Sequence, residues 1–199
     1  MNRGQLREDF LAILKRRDIT TAQANAYLER GLGRATRLLR LPSMERSATY
    51  DMEEVTDPEV PGDFLQLIAL TWNDLYELRR VNLHEILVNS ASTGDPTVFS
   101  RRGGEFIIKP QPTEGTLRID YFGTFEELED DADSNELSEQ APEAIIYGAL
   151  CYASDTYMDD RAGTFESRFQ QIITDLMDQK FSDEMTNAVV GFAHGYGDD

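Results

Sequence analysis

A single cysteine, Cys151, stands in the 199 residues, so no disulfide within the chain is possible. It falls between Leu150 and Tyr152 in a stretch of helical periodicity, where a buried, unreactive thiol is expected rather than a nucleophile. No apolar run reaches the roughly 18 residues of a membrane-spanning helix, and the mean hydropathy is -0.47. The opening "MNRGQLREDFLAILKRR" has charges on both sides of a short apolar patch and no small-residue cleavage site. The expectation is a cytosolic protein, or one assembled in a cytosol, with no membrane partner. The two histidines, His84 and His194, are far apart and sit in no ligand spacing, so surface histidines are expected. A Walker loop, GxGxxG, GxSxG and HExxH are all missing. Gly103-Gly104 opens no helix and so is not a phosphate loop. The run "DDADSNELSEQ" lacks the sixth-position glycine of an EF-hand, which argues against calcium. "AHGYGDD" at the end could hold a metal, but a flexible tail is the expectation. No catalytic, cofactor or metal site is assigned, and the chain is not expected to be an enzyme.

Basic charge is scarce, and it is unevenly placed. The net charge is -18, made of +5 over residues 1–46, -6 over 47–119 and -17 over 120–199. An acidic surface repels a phosphate backbone, so stable DNA binding is not expected. Solubility explains the acidity equally well, and the asymmetry permits attraction between the basic end of one copy and the acidic end of another. Arg101-Arg102 alone do not make a nucleic-acid patch.

Apolar content is ample, at 40% with 10 Phe and 8 Tyr, enough for a real core. Leu6, Phe10, Ile13 and Leu14 predict a helix over 5–17. Thr20 or Thr21 is placed to cap a second helix, whose stripe is Ala24, Tyr27, Leu28, Leu32, Ala35, Leu38 and Leu39. Gly31 and Gly33 weaken that helix and imply a kink or a close helix contact, and Pro42 stops it. Arg30, Arg34 and Arg37 share one face, solvated or turned to a partner.

The middle changes character. "RSATYDM" alternates like a strand, "EEVTDPEVPGD" is a connector, and "FLQLIALTWN" reads as a buried strand, with a short helix as the alternative. "LYELRRVN" alternates again and "LHEILVNS" reads as a short helix. "TVFSRRGGEFIIKPQP" reads as a hairpin about Gly103-Gly104, and "GTLRIDYFG" puts Leu117, Ile119 and Tyr121 on one face of a strand. Helices return at "PEAIIYGALCYASDTYMDDRAGTFESRFQQIITDL". Pro142 suits a first turn, with Glu139 and Glu143 at its positive end. Ile145, Ile146, Ala149, Leu150, Ala153 and Tyr157 make one stripe. After Asp159-Asp160, Phe165, Phe169, Ile172, Ile173 and Leu176 make another. Two such stripes predict a helical hairpin packed against residues 20–39.

The expected fold is α+β, not a doubly wound parallel sheet. It is a helical bundle of N-terminal helices and C-terminal hairpin, with an inserted antiparallel β-sheet region. The segments are 1–46, N-terminal helices; 47–124, β-rich insertion; 125–140, acidic loop; 141–180, hairpin; and 181–199, tail.

The order of these stretches resembles the adaptor, or head-to-tail connector, proteins of tailed bacteriophages, in the long form with a β-rich insertion. The resemblance rests on Tyr121-Phe122 before an acidic loop, then Asn135-Glu136-Leu137, then Ala141-Pro142-Glu143 with Tyr147 and Leu150. It covers about residues 20 to 178. It implies a structural virion protein of the neck, assembled in the host cytoplasm. Copies would form a ring of about twelve under the portal protein, extend the DNA channel and receive a tail or nozzle protein. By the same analogy Phe181, Met185, Val189, Val190, Phe192 and Tyr196 would meet the portal, where the alternative is a frayed tail with a short extra helix. The acidic residues Glu126, Glu127, Glu129, Asp130 and Asp131 would line the channel, letting genomic DNA pass without sticking. Two other classes stay open at this level. One is an acidic host-factor-binding or DNA-mimic protein, and the other is an enzyme using carboxylates and a divalent metal.

Overall fold

Two reciprocal caps start the helices of the N-terminal segment in the computed structural model, which describes residues 1–88 and 93–192, with side chains through 179. Asn2 accepts the Gln5 N–H at 2.9 Å, and the Gln5 side chain accepts the Asn2 N–H at 3.0 Å. This box begins α1 (Arg3–Leu14) earlier than the apolar spacing alone predicts, and Lys15, at φ 58, ends it. Thr20 and Gln23 form the same box ahead of α2 (Thr21–Leu38). The stripe of α2 is buried except for Leu38, which is 45% exposed.

The fold is mixed α+β, and the chain divides into two units, Met1–Ser43 with Phe125–Asp199, and Met44–Thr124. In the first, α4 (Glu136–Gln140) leads directly into α5 (Pro142–Tyr157), with Pro142 in the first turn. Met158, at φ 50, turns the chain, and α6 (Ala162–Phe192) follows. α5 is the hub, touching α1, α2, α4 and α6. α2 is unbroken through its glycines, so the choice between kink and close contact falls to contact. A Cβ on Gly31 would stand 2.4 Å from the Ile145 carbonyl oxygen and 2.6 Å from the Ala149 nitrogen. Gly148 faces the same crossing, 3.0 Å from the Gly31 Cα by the same construction. Around it pack the buried Leu28, Leu32, Ile145, Ala149 and Phe169.

At the elbow, Arg161 ties three segments together. Its guanidinium donates to both carboxylate oxygens of Asp159, and to the carbonyls of Ile13 and Leu14 at 3.0 Å each. Those carbonyls belong to the last turn of α1, where no intrahelical donor remains.

The second unit holds two sheets around a shared core. One has the order β1 (Glu45–Asp51), β7 (Thr116–Gly123), β2 (Phe64–Trp72), β3 (Tyr76–Glu77). The other has β4 (Arg79–Arg80), β5 (Val98–Arg102), β6 (Glu105–Lys109). Among these strands, pairing is antiparallel save for β4 with β5, which is parallel. The stretch "LYELRRVN" is thus divided: β3 joins one sheet and β4 the other. Leu78 between them is 2% exposed, buried with Leu70, Trp72, Phe99, Phe106 and Ile119. α3 (Leu83–Val88) lays Ile86 on Val81 and Ile107.

The two glycines of α2 give opposite expectations. Gly31→Ala forces backbone apart and should destabilise by roughly 1–3 kcal/mol, as overpacking does. A Cβ on Gly33 meets only the Arg37 guanidinium at 3.6 Å, so Gly33→Ala should stabilise by about 0.5–1 kcal/mol through helix propensity. Guanidinium unfolding followed by circular dichroism separates the two; equal midpoints would refute the close crossing.

Candidate interaction surfaces

The acidic run folds as an ordered loop held from below by apolar anchors. Phe125, Leu128 and Leu137 are buried, and Glu126, Glu127, Glu129, Asp130 and Asp131 between them are exposed. Asp133 accepts the N–H groups of Glu129 and Asp130 at 2.9 and 2.7 Å. The Asn135 side chain donates to the Glu126 carbonyl at 2.6 Å and caps α4 by accepting the Ser138 N–H.

The start of α1 clasps this loop. The N–H of Arg3 donates to the Asp133 carbonyl at 2.9 Å and that of Gly4 to the Asp131 carbonyl at 3.0 Å. The Arg3 guanidinium donates to the Glu129 carbonyl and pairs with Glu29 at 3.3 Å. Arg7 grips both oxygens of Asp131, at 2.5 and 2.6 Å, and the pair holds the Asp131 carboxyl below its ordinary range. Part of the charge asymmetry of the chain is therefore balanced inside one copy. Glu126, Glu127, Glu129 and Asp130 are exposed and make no ion pair among the described residues, whereas Asp131 is engaged. Periodicity carried no signal for this clasp, because α1 and the loop meet across more than a hundred residues.

The arginine face of α2 divides in a similar way. Arg34 lies over the Phe169 ring at 4.3 Å and forms a two-pronged pair with Glu166 at 2.9 and 2.6 Å. That pair and the Gln170 amide hold the Glu166 carboxyl down at about 2. Arg30 and Arg37 are exposed instead, lining an open surface hollow of about 630 Å³ with Glu29 and Tyr152. The neighbouring Cys151 thiol is pushed up to about 12 by burial first and then by Glu166, so it stays protonated at neutral pH.

In the β unit a smaller groove of about 160 Å³ opens between β2 and the β4–β5 pair, with Arg80 and Arg101 at its rim. His84 is exposed on α3. Among the described residues no three of His, Cys, Asp and Glu come together as metal ligands, and no helix is long and apolar enough to cross a membrane.

The side chains of Phe181, Met185, Val189, Val190 and Phe192, and the whole of Tyr196 and His194, lie outside the described residues. The backbone through Phe192 belongs to α6, which continues past the 180 expected from the hairpin stripe. Between Gly163 in its first turn and Gly191 at its end, α6 contains no proline or glycine.

The model of the SU10 adaptor protein family matches residues 1–191. The chain belongs to that family, a phage head–tail adaptor family, and its role is that of a structural adaptor in the virion. No curated protein matches it.

The Arg34–Glu166 pair has a defined pH window. The Glu166 carboxyl titrates near 2 in the fold against an ordinary value of 4.5. Its stabilisation is therefore complete above the ordinary value and is lost as pH falls through 2. With solvent screening, the contribution is about 1 kcal/mol or less. Glu166→Gln should lower the melting temperature at pH 7, and the gap to wild type should close on acidification from 5 to 2. A gap independent of pH would show that the pair is not what holds these helices.

Proposed function

We propose that the chain is a neck adaptor that acts without catalysis. About twelve copies form a ring beneath the portal of the capsid, join head to tail and extend the DNA channel towards a tail or nozzle protein. The observation that carries this reading is the family match over residues 1–191. The helical segments act as one bundle closed across the inserted β region, and residues 181–199 are the portal-binding arm, through Phe181, Met185, Val189, Val190, Phe192 and Tyr196. The length of α6 supports the arm. Its 31 residues against the 16 of α5 leave a span of roughly 22 Å that α5 is too short to cover. Apolar residues carried on a helix dock into a groove of a partner.

Co-sedimentation with the portal of the source phage tests the reading. Saturation near one copy per portal subunit is expected, and loss of binding when residues 181–199 are scrambled. No sedimentation at micromolar protein would overturn it.

The exposed carboxylates of Glu126, Glu127, Glu129 and Asp130 are assigned to the channel wall, where like charge keeps DNA moving. Replacing these four by lysine should slow DNA ejection from assembled particles, and more so at low salt. Asp131 is left intact in that variant, because a lysine there would face Arg7. Ejection at the wild-type rate would remove these residues from the channel.

A further inference from the structure

Among the described residues, β2 is an inner strand of its sheet that is left uncovered along much of one side. β7 pairs one side of β2, while β3 reaches the other side only at Thr71 and Trp72, and the Leu70 carbonyl accepts the Leu78 N–H at 2.8 Å. Below that point, among the described residues, no strand lies alongside Leu65, Leu67, Ile68 or Ala69 on that side. Ile68 is 44% exposed. An open, apolar edge of this kind is a template for an added strand.

The groove beside this edge is chemically specific. Its floor is aromatic, from Phe64, Phe99 and Phe106, and at about 160 Å³ it is close to the size of a single bulky apolar side chain. Its rim is cationic in a chain of net charge -18. The register sets Arg79 and Arg80 of β4 beside Val98 and Phe99 of β5, with Arg101 and Arg102 two and three positions further along the same strand. Arg101 lies over the Phe64 ring at 4.9 Å and donates to the Gly103 carbonyl, and among the described residues neither Arg101 nor Arg80 makes an ion pair. Arginine on a strand edge recognises carboxylates, through paired, directional hydrogen bonds.

We propose that this groove docks an extended, acidic segment of a different protein. The segment adds to the Leu65–Ala69 edge of β2, seats one leucine- or phenylalanine-sized side chain on the aromatic floor and sets carboxylates against Arg80 and Arg101. A second copy does not supply it from residues 126–133, because that loop is already closed on Asp133 and clasped by α1. The inference deepens the adaptor reading, since a connector needs a surface for a second partner besides the portal.

The test uses the full chain, without portal, so its failure and that of the adaptor reading are separate results. Fluorescein-labelled GELELEG and GKLKLKG serve as probes in anisotropy titrations, with amide hydrogen exchange as a second readout. The acidic peptide should bind at least about tenfold more tightly, weaken with salt, and protect amides within Leu65–Ala69. The R80E/R101E protein, checked for an unchanged melting temperature, should reverse the preference. Equal binding of the two peptides, no binding of either, or protection elsewhere would overturn the proposal. So would sedimentation velocity showing self-association that R80E/R101E abolishes, which would assign the groove to a second copy.

Discussion

The backbone of α2 runs against the backbone of α5 at Gly31 and Gly148, and the rest of the helical unit is arranged around that crossing. Neither position has room for a side chain. Backbones this close let the large residues on either side, Leu28, Leu32, Ile145 and Phe169, interlock at short range. The two helices lie on opposite sides of the β unit in sequence, so the crossing also closes the chain around an insertion. α1 and α6 are then organised by α5: α1 through Leu6, Phe10 and Leu14, and α6 through Phe165 and Phe169. Arg161 ties the elbow between α5 and α6 back to the last carbonyls of α1.

Much of this was legible in the sequence, and for identifiable reasons. The Thr20 cap, the apolar stripes of α2 and α5, the Gly103 hairpin and the alternation of β7 are local signals, set by side-chain period and turn chemistry. What stayed illegible was non-local. "LYELRRVN" alternates like one strand, yet Leu78 is drawn into the shared core and the stretch is split between two sheets. The parallel pairing of β4 with β5 has no local signature either. For the interaction surfaces, Arg30, Arg34 and Arg37 are equivalent by spacing, and only the position of α6 shows that Arg34 is engaged with Glu166 while its neighbours face solvent.

The same lesson applies to charge. A basic first quarter and acidic last two fifths suggest attraction between copies, but electrostatics acts first over the shortest available distance. Arg3 and Arg7 meet Glu29 and Asp131 within the fold, and the backbone of the acidic run is fixed by α1 before any neighbour is present. Among the described residues, the carboxylates at Glu126, Glu127, Glu129 and Asp130 and the guanidinium groups of Arg30 and Arg37 stay exposed and outside these intramolecular pairs, and Arg80 and Arg101 stand at the rim of the β groove.

β1 and β7, the first and last strands of the inserted unit, are direct neighbours, with Glu45 opposite Phe122. The chain therefore enters and leaves that unit through two adjacent points, only about 5 Å apart at paired Cα positions. Any insertion with ends so placed imposes almost no loop-closure penalty on the helices that flank it. The β unit is in this sense a cassette. A change in its length or content leaves the two chain ends, and so the start of the path back to the glycine crossing of α2 and α5, in place.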